Sequence, residues 1–269
     1  MTKIQGHLGI LGVGNMGASI LGGLLAKGIV LPGQVLIHDQ VSEKAEAVSK
    51  EWKVESVRNS LELLKRSNIV LLAFKPQDLK QAVQEFSGAV QEGHLFISIL
   101  AGTSTRKLRE AIGQKVKIVR AMPNLGVKVR EGMTALNGDD ESSLGIAEEI
   151  FSGCGKTVRV EEKHFDLVTA LSGSGPAYFF LLMELMIEEG VKEGLKRDQA
   201  GELAIQTALG ASLLAQSSGC SPDKLRQMVT SKGGTTEAAL KVFENHQFAK
   251  IIKEAIQAAQ KRGRELNQD

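Results

Sequence analysis

A glycine turn directly after the first apolar segment constrains the fold of this chain more than any other feature. The motif Gly12-x-Gly14-x-x-Gly17 follows the apolar run 7–11 and precedes an amphipathic stretch over residues 16–27. A strand, a glycine turn and a helix in this order leave backbone N–H groups at a helix N-terminus, where they bind a pyrophosphate. The motif therefore predicts a dinucleotide site. The residues expected there are Gly12, Gly14, Asn15, Met16 and Gly17.

Short apolar segments continue through the first half of the chain and alternate with amphipathic ones. The segments typical of strands are 7–11, 35–38, 69–73, 95–99 and 116–119, with 132–136 and 156–160 as further candidates. Alternation of strands and helices requires a mostly parallel sheet covered on both faces. We therefore expect an α/β, doubly wound Rossmann domain over residues 1–160.

The pattern changes near residue 160, after which strand signals end. Cap residues followed by proline at 174–176 and 221–222 indicate helix starts. The expected helices are 176–192, 199–217, 222–230, 236–245 and 248–262. Small residues such as those at 207–211 let helices approach closely, so this region either forms an intramolecular bundle or completes its core against a second copy. We favour the second and expect an all-helical dimerisation domain over residues 161–269.

Composition excludes several classes of protein. The 269 residues are 42% hydrophobic and carry a net charge of +2 without a basic stripe, so no nucleic-acid partner is expected. Cys154 and Cys220 are too far apart for a metal or redox motif and are interpreted as small buried residues in a reducing compartment. The five histidines have no ligand spacing, and no metal is expected.

No targeting segment or membrane span is expected from the sequence. The N-terminus lacks the apolar region of a signal peptide, and the longest apolar run, 177–183, is too short to span a bilayer. The chain is therefore expected to be cytoplasmic.

Residues at the ends of two later strands are further candidates for cofactor contacts. Asp39 follows the second strand at the spacing of an acid that accepts hydrogen bonds from an adenosine ribose and repels a 2′-phosphate, which favours NADH over NADPH; alternatively, it caps the next helix. Lys44 is the one cation among residues 40–44. Ala73, Lys75 and Pro76 end another strand at the cofactor crevice, although Lys75 is equally typical of a solvated loop.

A second glycine turn, Ser231-Lys232-Gly233-Gly234-Thr235-Thr236, opens a helix far along the chain. Its backbone N–H groups and hydroxyls suit an anion, unless the hydroxyls only cap the helix. Two anion-binding turns predict an enzyme with two substrates. Arg120 to Asn124 follow another strand, where the arginine orients an anion or pairs with a carboxylate of the fold.

Five motifs together resemble the pyrroline-5-carboxylate reductase family over essentially the whole chain. They are Gly12-x-Gly14-Asn15-Met16-Gly17, Phe74-Lys75-Pro76, Arg120-Ala121-Met122-Pro123-Asn124, Ser172-Gly173-Ser174-Gly175-Pro176-Ala177-Tyr178 and Gly233-Gly234-Thr235-Thr236. The resemblance implies a Rossmann domain, a helical domain that dimerises, and dimers that often assemble into a decamer. It also implies reduction of L-1-pyrroline-5-carboxylate to L-proline by NAD(P)H.

The resemblance further assigns roles to individual residues of the second turn. Ser231 and Thr235 would contact the substrate carboxylate, and Thr236 would hydrogen-bond the ring nitrogen as the catalytic residue. Gly234 is expected to belong to the same substrate-binding turn. Glu162 matches a family position near the substrate, although beside Glu161 it is also typical of a solvated surface.

Several positions depart from the family pattern. Lys232 stands where proline is common, and Leu125-Gly126 stands where Thr-Pro is common. Either Asn59 or Ser60 fits the spacing of a residue that touches the adenosine. Two other functions stay open: a sensor that binds a dinucleotide without turnover, and a related dehydrogenase or imine reductase that acts on another small carboxylate.

Overall fold

The computed structural model describes Ile4 and residues 6–268, except the side chains of residues 267 and 268. The chain divides into two compact units, Met1–Ser174 with Ala259–Asp269, and Gly175–Ala258. This division differs from the expected boundary after residue 160. Residues 162–173 stay with the first unit because Glu162 pairs with Arg120 and because Gly173 packs close to Met122.

The first unit is built on a sheet in the order β3-β2-β1-β4-β5-β6-β7-β8. The strands are β1 Leu8–Leu11, β2 Val35–His38, β3 Glu55–Ser56, β4 Ile69–Leu72, β5 Leu95–Ser98, β6 Lys117–Pro123, β7 Gly132–Gly138 and β8 Gly155–Arg159. The strand order reverses at β1, which pairs in parallel with β2 on one side and with β4 on the other, from Leu8 onward in both cases. The predicted doubly wound, mostly parallel α/β fold is therefore confirmed.

One pair of strands in the sheet is antiparallel, β6 with β7. The connection over residues 124–131 is too short for the crossover that a parallel pair requires. It contains a short 3-10 helix, Leu125–Val129, which ends at Arg130 in the left-handed region with φ +61°. β8 then pairs in parallel with β7, because the helix over residues 141–152 provides the crossover between them.

Helices cover both faces of this sheet. They are α1 Asn15–Ala26, α2 Ser42–Trp52, α3 Ser60–Arg66, α4 Leu79–Phe86, α5 Thr105–Ile112, α6 Glu141–Ser152 and the short α7 Phe165–Val168. One hydrophobic cluster joins α1, α2 and α6 to the sheet, and the other joins α3, α4 and α5 to its opposite face. The central strands are buried on both faces, which explains why β1 and β4 are continuous apolar runs rather than alternating ones.

The two cysteines lie in different surroundings. Cys154 is buried between α1 and β8, and burial raises the pKa of its thiol to about 12. It packs as a small apolar residue, as expected. Cys220 is partly exposed, so the interpretation of both cysteines as buried is wrong for this one. The reason is its place in the loop between two helices of the second unit.

The second unit is all-helical. Its helices are α8 Gly175–Lys192, α9 Arg197–Ser217, α10 Pro222–Met228, α11 Thr235–Asn245 and α12 Phe248–Gln268, the last of which ends in the first unit. Large apolar side chains on these helices are exposed, with Phe179 at 60%, Leu203 at 59% and Leu213 at 54%. Contiguous exposed apolar surface of this kind marks an interaction face.

One helical stretch among the described residues, Glu162–Lys192, is long and apolar enough to cross a membrane by length and composition. The expectation that no segment has this length rested on the uninterrupted apolar run 177–183. The structure instead joins shorter turns and α8 into one continuous helical path. Length and composition do not distinguish a helix that faces lipid from one whose apolar face packs against protein.

The packing of the sheet gives a stability prediction. Phe96 of β5 is fully buried and stacks on Phe86 with ring centroids 6.0 Å apart. Phe96→Ala should lower the free energy of unfolding by about 3–5 kcal/mol, because it removes apolar contacts and leaves a cavity. Urea denaturation at fixed protein concentration measures this. Leu31→Ala, at a position 58% exposed, is the control and should change the value by less than about 1 kcal/mol. Equal effects of the two changes would contradict the described core.

Candidate functional site

The glycine turn after β1 brings two backbone segments into contact. Gly12 has φ +93°, a left-handed conformation, and a Cβ at this position would lie 2.7 Å from the carbonyl carbon of Ala73. The amide of Gly12 donates to the carbonyl of His38 over 2.8 Å. Glycine is therefore required here both by the backbone conformation and by the close approach of the strand end at Ala73.

The start of α1 is open to a ligand. No atom lies within 4 Å of a Cβ built on Gly14, whereas one built on Gly17 would overlap the carbonyl oxygen of Gly12. Gly14 provides no side-chain cap, and the first turn of α1 has no acidic residue. The first N–H groups of a helix have no acceptor within the helix, so this end attracts an anion. Gly14 and Asn15 leave room for a pyrophosphate. Gly17 packs directly against the carbonyl oxygen of Gly12 in the turn.

Asp39 ties the end of β2 to the glycine turn. Its Oδ2 accepts a hydrogen bond from the Val13 amide over 2.9 Å, and its Oδ1 accepts one from the Val41 amide over 3.0 Å. Val41, not Asp39, is the residue that precedes α2 as its N-cap. Each carboxylate oxygen keeps a second lone pair, so the ribose contact predicted for Asp39 is compatible with its structural bonds.

A cavity of about 410 Å³ extends from the glycine turn across the carboxyl ends of the strands. It brings together most of the residues expected at the cofactor, and two cations, Lys44 and Lys75, lie on its wall. Its lining residues are Leu11, Gly12, Gly14, Asn15, Met16, His38, Asp39, Gln40, Val41, Lys44, Ser60, Ala73, Phe74, Lys75, Asp78, Ala82 and Glu85. Pro76 instead lines a neighbouring groove with Ala101, Gly102 and Leu266.

The structure places Asn59 and Ser60 differently. The side chain of Asn59 caps α3 by accepting a hydrogen bond from the amide of Glu62 over 2.8 Å. Ser60 is 2% exposed and lines the cavity. Its hydroxyl donates to Glu85 Oε2 over 3.2 Å. Glu85 was not among the residues expected from sequence, because only the folded chain brings α4 to the start of α3.

Arg120 and Glu162 form a partly buried ion pair. Arg120 Nη1 lies 3.1 Å from Glu162 Oε1, and its guanidinium stands 4.5 Å above the ring of Phe165. Burial lowers the pKa of Arg120, and the hydrogen bond that Arg120 donates to Glu162 opposes the shift. The same Oε1 accepts from the Thr105 amide over 2.6 Å at the start of α5. Arg120 thus has the structural partner that its alternative interpretation required.

The described hydrogen bonds of Glu162 hold parts of the first unit together. Its partners, Arg120 and Thr105, belong to β6 and α5 of the first unit. Asn124, which follows β6 in the same unit, accepts hydrogen bonds from the amides of Gly126 and Met133. Its side-chain amide donates to the Ser172 hydroxyl over 3.4 Å. The substrate role of Glu162 stays a prediction.

The second glycine turn lies in the second unit and opens α11. Gly233 has φ +74°, and the amide of Gly234 donates to the carbonyl of Ser231 over 3.0 Å. A Cβ on Gly234 would overlap the Ser231 hydroxyl. Glycine at this position therefore lets the Ser231 side chain lie directly over the helix start.

Backbone donors at this turn stay available to a ligand. Glu237 reaches back to the amide of Gly233 over 2.6 Å, and this hydrogen bond, supported by Lys241, lowers the pKa of the Glu237 carboxyl. The N-cap residue Gly234 has no side chain that could accept hydrogen bonds from the first amides of the helix. The amides of Thr235 and Thr236 therefore have no acceptor within the helix. The turn thus presents amides and the hydroxyls of Ser231, Thr235 and Thr236 together, and Thr236 is half-buried.

No cluster of three or more His, Cys, Asp and Glu side chains suitable for a metal ion occurs in the described part of the chain. The chemistry available is therefore that of two turns rich in amide donors, one in each unit, with hydroxyls beside the second. Amides and hydroxyls bind and orient anions.

Comparisons with known proteins agree with this arrangement. Residues 162–266 match the family described as pyrroline-5-carboxylate reductase dimerisation, which begins close to the domain boundary expected from sequence. Residues 7–102 match the family described as NADP oxidoreductase, coenzyme F420-dependent. These two matches cover the helical region and the dinucleotide-binding half of the sheet.

Relatives cover the chain almost completely. The pyrroline-5-carboxylate reductase of Pseudomonas aeruginosa is 38% identical over 97% of this chain and 96% of its own. The structure of a pyrroline-5-carboxylate reductase from Coxiella burnetii superposes with a TM-score of 0.92 at 33% identity, covering 98% of this chain and 99% of that one. A Plasmodium falciparum pyrroline carboxylate reductase with NADP bound reaches 0.88 at 27% identity, covering 98% of each chain. The chain belongs to the pyrroline-5-carboxylate reductase family.

Proposed function

We propose that this protein reduces the C=N bond of L-1-pyrroline-5-carboxylate to give L-proline, the last step of proline biosynthesis. The observation that carries the proposal is the uncapped turn at Ser231 to Thr236, which offers several donors to one small anion. Membership of the family supports the same reaction. We assign dinucleotide binding to residues 1–160, and substrate binding and dimerisation to residues 161–269.

The substrate carboxylate matches the donors of the second turn. The Ser231 hydroxyl and the Thr235 amide are assigned to the carboxylate oxygens, because charge-assisted hydrogen bonds to an uncapped helix start are strong. Gly234 lets the Ser231 hydroxyl lie over the helix start, while its own amide donates to the Ser231 carbonyl. Glu162 is retained as a residue that favours a cationic ring. It would have to act while also holding Arg120.

Thr236 is assigned to the ring nitrogen. When the imine carbon accepts a hydride, the nitrogen becomes an amine and must carry a proton, which arrives with an iminium substrate or through the Thr236 hydroxyl from solvent. No strong acid is needed for this step. The half-buried hydroxyl orients the nitrogen through one hydrogen bond and limits the positions that the ring adopts.

NAD(P)H is the proposed cofactor and, when bound, supplies the hydride. Gly14 and Asn15 hold its pyrophosphate, while Gly12 and Gly17 shape the turn; Met16, Ala73 and Lys75 line the same cavity, and Pro76 the adjoining groove. Asp39 on the cavity wall places a negative charge where a 2′-phosphate would lie, which favours NADH. Lys44 on the same wall works in the opposite direction, so the proposed preference is small.

A homodimer through the second unit is proposed as the working assembly, with a decamer built from such dimers as a larger form. The exposed apolar faces of α8 and α9 support the dimer, because such surface requires burial. Packing against a second copy would also bury the apolar side chains of the stretch Glu162–Lys192 without a membrane. A cytoplasmic location is proposed with this assembly.

The reaction is tested by following the oxidation of NADH and NADPH with L-1-pyrroline-5-carboxylate. Thr236→Ala should lower kcat/KM by at least about 100-fold, because the nitrogen loses its hydrogen-bond partner. Circular dichroism should show an unchanged fold. Ser152→Ala, which removes an exposed hydroxyl at the end of α6, is the control and should keep activity within about threefold. Dinucleotide binding without turnover in the unmodified protein would instead favour a sensor.

Cofactor preference has its own test. Unmodified protein should use NADH at least as well as NADPH, and Asp39→Asn should raise the NADPH-to-NADH ratio of kcat/KM by about tenfold, because a charge that repels the 2′-phosphate is removed. Steady-state kinetics with both cofactors measure this ratio. A strong NADPH preference before the change would contradict only the role of Asp39.

Assembly is tested by charges on the exposed face of α9. Leu209 and Leu213 lie one turn apart on it, 48% and 54% exposed. The double change Leu209→Asp with Leu213→Asp should give the mass of a single 28.9 kDa chain by sedimentation equilibrium, because two charges would have to be buried at the interface. Gln114→Asp, an exposed position in the first unit, is the control and should leave the assembly unchanged. An unmodified protein that sediments as a monomer would contradict the proposed dimer.

A further inference from the structure

One wall of the cofactor cavity carries polar side chains that the proposed reaction does not use. Ser60 at the start of α3 and Ala82 and Glu85 on α4 line this wall. It lies in the same cavity as the glycine turn, so a single elongated ligand can contact both.

The carboxylate of Glu85 is held in place by two donors. The Ser60 hydroxyl donates to Oε2 over 3.2 Å, and Gln81 Nε2 donates to Oε1 over 3.3 Å. Ser60 is 2% exposed, so its hydroxyl has little freedom to turn elsewhere. Each Glu85 oxygen keeps a lone pair for a further donor. The result is an oriented acceptor on the cavity wall.

The position of this wall identifies the part of a dinucleotide that would meet it. In a doubly wound sheet the pyrophosphate binds at the first helix and the adenosine ribose binds beside the acid that ends β2. Here these places are Gly14 and Asp39. The remaining lining on the side of α3 and α4, away from the β1 turn, is left for the base.

We propose that Glu85, positioned by Ser60, selects a dinucleotide whose purine carries an amino group at C6. An ionised carboxylate only accepts hydrogen bonds, and the exocyclic amine of adenine only donates them at this edge. A purine with a carbonyl oxygen at C6, such as hypoxanthine, would place one acceptor against another. The inference rests on the proposed cofactor and names which base the same cavity accepts.

A purely structural role for Glu85 predicts a different effect of removing its charge. If its carboxylate only joins Ser60 to Gln81, removal of the charge changes stability and the affinities for all dinucleotides alike. If it contacts the base, removal of the charge changes the ratio between two bases. The ratio is therefore the readout that separates the two roles.

The experiment is a calorimetric titration of the full chain with NADH and with its hypoxanthine analogue, deamino-NADH, in the absence of imine substrate. Unmodified protein should bind NADH about tenfold more tightly, because one charge-assisted hydrogen bond is replaced by repulsion. Glu85→Gln should reduce the ratio to within about threefold, since an amide both donates and accepts. Ser60→Ala should reduce it partly. Glu46→Gln, an exposed charge change on α2, is the control and should leave the ratio unchanged.

Equal binding of the two dinucleotides by unmodified protein would overturn this inference, and so would an unchanged ratio in Glu85→Gln. Either result, obtained with protein that still reduces L-1-pyrroline-5-carboxylate, leaves the proposed function intact. Failure to bind either dinucleotide overturns the proposed cofactor and this inference together.

Discussion

The proposed function of this protein depends on hydrogen bonds from backbone N–H groups at two helix starts to a ligand, because these groups have no acceptor within the helix. Gly14 is the N-cap residue of α1 and Gly234 is the N-cap residue of α11, and neither provides a side-chain cap. Unpaired N–H groups at a helix start cost free energy, and an anion that accepts their hydrogen bonds is bound favourably. The two turns differ in their surroundings, because the first opens into a long cavity and the second is surrounded by hydroxyls. That difference suits a dinucleotide at one and a small carboxylate at the other.

The geometry of each turn is fixed by contacts that a side chain would prevent. Gly12 approaches the end of β4, and Gly234 lies under the Ser231 hydroxyl. Asp39 fastens the first turn through the Val13 amide, and Glu237 fastens the second through the Gly233 amide. Both turns therefore use a carboxylate to hold the backbone in shape, which leaves the amides at the helix start for the ligand.

Local sequence was sufficient for most of the central strands. Apolar runs gave β1, β2, β4 and β5 almost to the residue, because strands buried on both faces need continuous apolar sequence. β3, Glu55–Ser56, could not be predicted, because it is two exposed polar residues that carry no such pattern. The return of the end of α12 to the first unit, where Leu266 packs close to Gly102, was also missed, since no local signal reports a contact over that separation.

The site was predictable where its residues are neighbours in sequence and not where the fold assembles them. The glycine turns and Asp39 follow known spacings. The pairs Ser60 with Glu85 and Arg120 with Glu162 join residues that are 25 and 42 positions apart. Nothing in the local sequence distinguishes these carboxylates from solvated ones. Burial of Ser60 and Arg120 is what makes their partners specific.

The central claim is hydride transfer to the imine carbon of a carboxylate held by the second turn. The most direct measurement uses NADH that carries deuterium at the transferable position, with L-1-pyrroline-5-carboxylate as substrate and NMR of the product. We expect L-proline with one deuterium on the ring carbon that was the imine carbon. Proline without deuterium at that carbon, or no proline at all, would contradict the account.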